Sequence, residues 1–147
     1  MILLDVNILV GAHREDASGH RETRAWLEGE LRGPAPVAVT DLALSGFMRV
    51  VTHTRVFREP TPLPMALEFV ENLREREGVR ILAPGPRHWG IFVELCRRTV
   101  ARGNSIPDAY HAAVAMEHGC DWITLDRGFA RYPGLRWRTP FDGPSSP

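Results

Sequence analysis

Not one of the 147 residues is a lysine: all 18 basic residues are arginine, set against 18 acids for a formal net charge of +0. That excludes lysine-based chemistry, and it makes every side-chain cation a planar fork able to grip phosphate through two nitrogens. Biased genome composition produces the same pattern. The zero net charge gives no global positive field of the kind that marks a nucleic-acid binder. Only two cysteines occur, Cys96 and Cys120, with no C-x-x-C spacing, so a disulfide framework and a thiolate zinc centre are excluded. Both read as reduced core thiols, and the chain as cytoplasmic. Long apolar runs are also missing: Ile2–Leu4 and Ile8–Val10 fall far short of the ~20 residues of a membrane span. Asp5 interrupts the first of them and no basic segment precedes it, which argues against a secretory signal. What remains, 44% hydrophobic and 24% charged, is the composition of a globular protein of one domain.

Strand and helix signals alternate along the chain. Apolar runs at Met1–Val6, Val37–Val39, Val79–Leu82, Trp122–Leu125 and Leu135–Arg138 predict strands, the first ending near Asp5. Helical spacing predicts helices at His20–Leu31, from the Thr40 cap through Val51, at Leu63–Glu77, Arg87–Arg102 and Asp108–His118. Gly78, Gly103 and Gly119 stand where three of them should stop, and Pro107 fits a first helical turn. The pattern predicts an α/β fold whose largely parallel sheet is covered on both faces. In such sheets ligands bind beyond the carboxyl ends of the strands, where the strand order reverses.

Acids mark those ends. The first strand runs into Asp5-Val6-Asn7, the fourth into Thr124-Leu125-Asp126, and Asp108 opens a helix after Gly103-Asn104. Any one aspartate there is explained by capping or a turn. Asp5, however, sits in an otherwise apolar segment, where an unpaired carboxylate is costly. If Asp5, Asp108 and Asp126 converge, each pair at ~4 Å repels by ~4 kcal/mol at an effective dielectric of 20, so a cation must sit among them. Hard oxygen donors favour Mg²⁺ or Mn²⁺, which keep waters and bind substrate phosphates. An ion held so activates a water for in-line attack on a phosphodiester.

Leu4-Asp5-Val6-Asn7, the stretch around Arg49-Val50-Val51-Thr52, Gly103-Asn104 with Asp108-Ala109 and Ala112-Ala113, and Thr124-Leu125-Asp126-Arg127-Gly128-Phe129 together resemble the VapC group of PIN-domain proteins. Order and spacing match through Pro133-Gly134-Leu135-Arg136-Trp137, nearly the whole chain. The resemblance implies a PIN-like three-layer fold with sheet order 3-2-1-4-5 over a domain of residues 1–142, and the run Gly143-Pro144-Ser145-Ser146-Pro147 itself reads as a frayed, flexible tail over 143–147. The resemblance also implies a Mg²⁺-dependent endoribonuclease, with Mn²⁺ as a possible substitute. Such a protein is the toxin of a toxin–antitoxin pair, inhibited by a small VapB-like antitoxin, and a homodimer or toxin–antitoxin hetero-oligomer. Carried over, Asp5 and Asp108 become the principal metal ligands and Asp126 the further acid, with Asn7 and Thr124 holding carboxylates or water.

One position departs from the family. In Ala43-Leu44-Ser45-Gly46-Phe47-Met48-Arg49 the family has a glutamate where this chain has Gly46. Glycine within a helix costs ~1 kcal/mol relative to alanine, and no packing gain is visible in the sequence. Asp41, five positions earlier, falls ~140° around the helix and cannot substitute. A weakened metal site and reduced or absent cleavage follow. Gly46 marks a naturally degenerate member or an inactivating substitution favoured because an active toxin selects against its host; a glycine codon in the native gene excludes the second. Two further readings are a degenerate member that binds antitoxin or RNA without cutting, and a phosphotransfer enzyme with Asp5 as nucleophile. Against the latter, Asn7 stands where a second aspartate is wanted and no lysine is available.

Other candidates are weaker. His111 and His118 share a helix face without a third zinc ligand, Trp26, Trp89, Trp122 and Trp137 are scattered, and Arg97, Arg98 and Arg102 read as a solvated face. Residues 76–147 hold 10 arginines and 7 acids, residues 1–75 hold 8 and 11, so the neutral total hides opposite halves.

Overall fold

Ile2-Leu3-Leu4 carries no polar side chain and forms β1 (Ile2–Leu4), buried throughout at the centre of a five-stranded sheet. The computed structural model describes residues 1–143, and the expected tail lies outside them from Pro144 onward. The other strands are β2 (Val37–Thr40), β3 (Val79–Leu82), β4 (Asp121–Ile123) and β5 (Trp137–Arg138). Their order is β3-β2-β1-β4-β5 and every pairing is parallel, so all carboxyl ends open on one edge.

Successive side chains of β1 point to opposite faces. Ile2 and Leu4 join Val37, Val39 and Ile123 in a core roofed by α1 (Val6–His13), α2 (His20–Arg32), α3 (Asp41–Val51) and α4 (Leu63–Glu75). Leu3 joins Ala38 and Trp122 on the other face, beneath α5 (His88–Thr99) and α6 (Ser105–Glu117). Burying one such leucine stabilises the fold by about 1.5–3 kcal/mol. The result is the three-layer arrangement and the strand order that the resemblance implied. No helix among the described residues is long and apolar enough to cross a membrane.

Three sequence expectations need correction. The first helix, α1, was not predicted, because Ile8, Leu9, Gly11 and Ala12 are all buried and the helix has no polar stripe to give a 3.6-residue period. It begins immediately after β1, with the Val6 amide donating to Asp5 Oδ1 at 2.6 Å. The fifth helix stops at Thr99 rather than Arg102, since Val100 takes the left-handed conformation at φ 51, and the sixth starts at Ser105 rather than Asp108. The last two strands are shorter than expected: β4 ends at Ile123, although the Thr124 amide still donates to the Arg138 carbonyl at 3.2 Å, and β5 covers only two residues.

Candidate active site

The backbone brings Asp5 and Thr124 together before any side chain acts. β1 and β4 are neighbours in the register Leu4↔Ile123, and the Asp5 amide donates to the Ile123 carbonyl at 3.0 Å. The next residue on each strand therefore reaches the same point on the carboxyl edge. There the Thr124 hydroxyl donates to Asp5 Oδ2 at 2.6 Å. Asn7 Nδ2 donates to that same oxygen and to Thr124 Oγ1, both at 3.0 Å, while the Leu125 amide donates to Asn7 Oδ1. Thr124 Oγ1 also accepts from the Asp126 amide at 2.9 Å. Asn7 and Thr124 thus fix both the Asp5 carboxylate and the turn carrying Asp126.

Asp108 arrives from elsewhere, in the first turn of α6 behind Pro107, where the positive end of the helix favours a carboxylate. Asp5, Asn7, Asp108 and Asp126 line one cleft of about 340 Å³, with Val6, Val50 and Phe129 on its walls. Burial raises the Asp5 carboxyl from 3.8 to about 6 against the lowering hydrogen bonds from Thr124 and Val6, and Asp108 and Asp126 raise it further. Asp108 is likewise raised, by burial and then by Asp126, with Arg131 opposing. A carboxylate cluster in which Asp5 and Asp108 are each pushed up by a neighbouring acid is a site that favours a cation.

The donors fit a hydrated ion better than a protein cage. Among the described residues no three carboxylates, imidazoles or thiols gather closely enough to ligate one ion together. Asp5 Oδ2 already accepts two hydrogen bonds and Asp126 Oδ1 accepts from the Gly128 amide at 2.7 Å. Burial and neighbouring charges act on the Asp108 carboxylate, which accepts no hydrogen bond among the described residues. Mg²⁺ suits such a set, because it takes one or two carboxylates directly and keeps its remaining waters.

Position 46 requires another correction. A Cβ there would stand 2.9 Å from Val6 Cγ2, inside normal contact, so the bare Cα of Gly46 does bring a packing gain: it lets α3 close on the first turn of α1. The same geometry directs position 46 toward Val6 and the cleft. Asp41 is exposed and ion-paired to Arg74, which keeps it from serving as the missing acid. The histidines are not a pair: His111 is buried and stacked on Trp122, whereas His118 bonds the Ala83 carbonyl at 2.8 Å. Trp122 is core, Trp89 is exposed, and Arg97, Arg98 and Arg102 are exposed and absent from the cleft wall. Sequence reasoning missed Val10 and Ser18, which line the cleft, and Arg131 beside it; five residues beyond Asp126 on an irregular turn, Arg131 had no periodicity to mark it.

Two buried groups titrate in opposite senses. Asp5 holds its proton up to about 6 when folded and to 3.8 in its ordinary state, so its stabilising contribution is present below 3.8 and lost as pH rises through 6. His111, lowered from 6.5 to about 4 by burial, resists protonation, so its contribution is present above 6.5 and lost as pH falls through 4. Each displacement is worth about 3 kcal/mol. Between pH 4 and 6 they nearly cancel, with His13, also lowered by burial, acting in the same direction as His111. His111→Gln is therefore expected to gain melting temperature relative to the wild type as pH falls from 7 to 4, because it removes the group that resists protonation. Parallel melting profiles for the two proteins contradict the burial effect on His111.

The PIN-domain family pattern matches residues 2–135. The chain is 45% identical over 143 residues to the VapC ribonuclease Mb2897 of Mycobacterium bovis, covering 97% of each protein. It is 39% identical over 140 residues to ribonuclease VapC25 of Mycobacterium tuberculosis, covering 95% of this chain and 99% of that one. The crystal structure of VapBC2 from Rickettsia felis bound to a promoter DNA fragment superposes with a TM-score of 0.69 at 17% identity, over 95% of this chain and 98% of that one. The fold, its strand order and these full-length similarities agree: the chain belongs to the PIN-domain family, within its VapC group.

Proposed function

We propose that the chain is the toxin of a toxin–antitoxin pair, an endoribonuclease that hydrolyses RNA phosphodiester bonds with Mg²⁺, or Mn²⁺ in its place. The observation that carries this is that Asp5, Asp108 and Asp126, from three separate elements, line one cleft at the carboxyl edge. Asp108 and Asp126 would hold the ion, Asp5 joining through its remaining Oδ1 lone pair or through water. When bound, the ion supplies a water of lowered pKa and neutralises charge developing on the phosphate. Thr124 and Asn7 keep Asp5 aimed into the cleft, and the apolar wall of Val6, Val50 and Phe129 limits competing solvent. The VapC ribonuclease relatives and the solved VapBC complex support RNA as substrate and a VapB-like antitoxin as partner. A cytoplasmic location and a homodimer or toxin–antitoxin hetero-oligomer belong to the same reading.

Gly46 favours a second reading, a member whose incomplete acid set binds antitoxin or RNA without cutting. One experiment separates the two. The purified chain is incubated under single-turnover conditions with a labelled RNA pool in Mg²⁺, Mn²⁺ or EDTA, with and without its antitoxin. Cleavage in either metal, absent in EDTA and suppressed by antitoxin, is the expected result; RNA or antitoxin binding without cleavage in any metal supports the second reading and overturns the first.

A further inference from the structure

Two arginines belong to the turn that follows Asp126. Arg127 is paired with Asp142, but Arg131 closes no ion pair among the described residues. It ends the 3-10 helix Arg127–Arg131, where its Nε donates to the Gly128 carbonyl at 2.7 Å and its guanidinium carbon lies 5.9 Å from the centre of the Tyr132 ring. These contacts fold the side chain back over Gly128. A Cβ at position 128 would stand 2.5 Å from Arg131 Nη2 and 2.8 Å from Asp126 Oδ1. The guanidinium and the Asp126 carboxylate therefore flank one bare Cα, held close without collapsing on each other. Among the described residues no cation lines the cleft itself, and Arg131 is the one whose charge reaches Asp108.

Tethering through Nε leaves the two Nη groups without a hydrogen-bond partner among the described residues, with Nη2 lying over the bare Cα of Gly128. We propose that Arg131 is a phosphate seat: its Nη groups bind the non-bridging oxygens of an RNA phosphodiester beside the acids, and residue 128 is glycine so that Asp126 and Arg131 fit together. This rests on the ribonuclease reading above. The division of labour is electrostatic, with three carboxylates facing the cation and the guanidinium facing the phosphate, which prevents repulsion between acids and substrate from closing the site. Hydrolytic attack adds negative charge to those oxygens, and a planar fork already in position stabilises it without reorganisation. Because it reads the backbone, the contact carries no base preference.

The test is RNA affinity as a function of salt. A fluorescein-labelled single-stranded RNA pool is titrated with the full chain in Ca²⁺, and anisotropy is followed at several salt concentrations. Arg131→Ala is expected to weaken binding roughly ten- to hundredfold and to reduce the salt slope by about 0.7, the loss of one phosphate contact on a single strand. Arg131→Lys should keep the slope and recover part of the affinity. Gly128→Ala, which retains the arginine but displaces it, should approach Arg131→Ala, and melting curves report whether each variant is folded. A folded Arg131→Ala with wild-type affinity and slope overturns the phosphate seat and leaves the ribonuclease reading standing. A wild-type chain that binds no RNA at any salt overturns both.

Discussion

Asp108→Asn is expected to reduce RNA cleavage by at least about two orders of magnitude while the protein melts at the wild-type temperature or above it. The two effects separate because the Asp108 carboxylate accepts no hydrogen bond among the described residues and is raised in pKa by burial and by Asp126. An amide of the same shape loses no hydrogen-bond partner and removes a half-buried charge that Asp126 repels, at the cost of the weaker attraction to Arg131. Against that gain stands the carboxylate's favourable place in the first turn of α6, worth about 0.3–1 kcal/mol. Function has no such compensation, since a metal-bound water and charge neutralisation are together worth several kcal/mol of transition-state stabilisation, tenfold in rate for each 1.4. Calorimetric Mn²⁺ titration, thermal melting and single-turnover cleavage check the three parts. Unchanged cleavage removes Asp108 from the site; lost cleavage with a much lower melting temperature makes its role structural. Asp5→Asn is the less clean experiment, because the new amide would set a donor against the Asn7 Nδ2 and Val6 amide donors that Asp5 now accepts.

The acids were legible in the sequence for a simple reason: a charge inside an apolar run, or directly after one, is visible without knowing the fold. Asp5 in Ile2–Val6 and Asp126 after Trp122–Leu125 are of this kind, and the parallel strand pattern already implied that their ends share an edge. That β1 and β4 are adjacent came from the family resemblance, since no periodicity fixes strand order. The helix carrying Val6 and Asn7 was hidden by its own burial: amphipathic contrast vanishes when nearly every side is covered. Gly46 and Arg131 illustrate a third limit. The approach of Gly46 to Val6 joins α3 to α1, and the place of Arg131 beside Asp126 depends on how an irregular turn folds over Gly128. Neither leaves a local pattern in the residues around it.

Restoring an acid at position 46 is expected to work only when Val6 is changed with it. In Gly46→Glu alone the new Cβ meets Val6 Cγ2 at 2.9 Å, and Val6, β-branched and at the first position of α1, has little rotamer freedom to yield. Overpacking of this kind costs about 1–3 kcal/mol, partly offset by about 0.5–1 kcal/mol from removing a helical glycine. The single variant should therefore melt slightly below wild type, with its carboxylate displaced and metal affinity little improved. Val6→Ala opens the space at the price of part of a half-buried side chain. Combined with Gly46→Glu it should recover the melting temperature, give a favourable coupling of about 1–3 kcal/mol in a double-mutant cycle, and bind Mn²⁺ at least about tenfold more tightly than wild type. Cleavage should rise with that affinity. The cycle keeps two questions apart, because coupling in stability reports the steric contact and coupling in metal binding reports the carboxylate's reach. If stability recovers and Mn²⁺ affinity does not, α3 approaches α1 as described, but position 46 is not where the missing acid belongs.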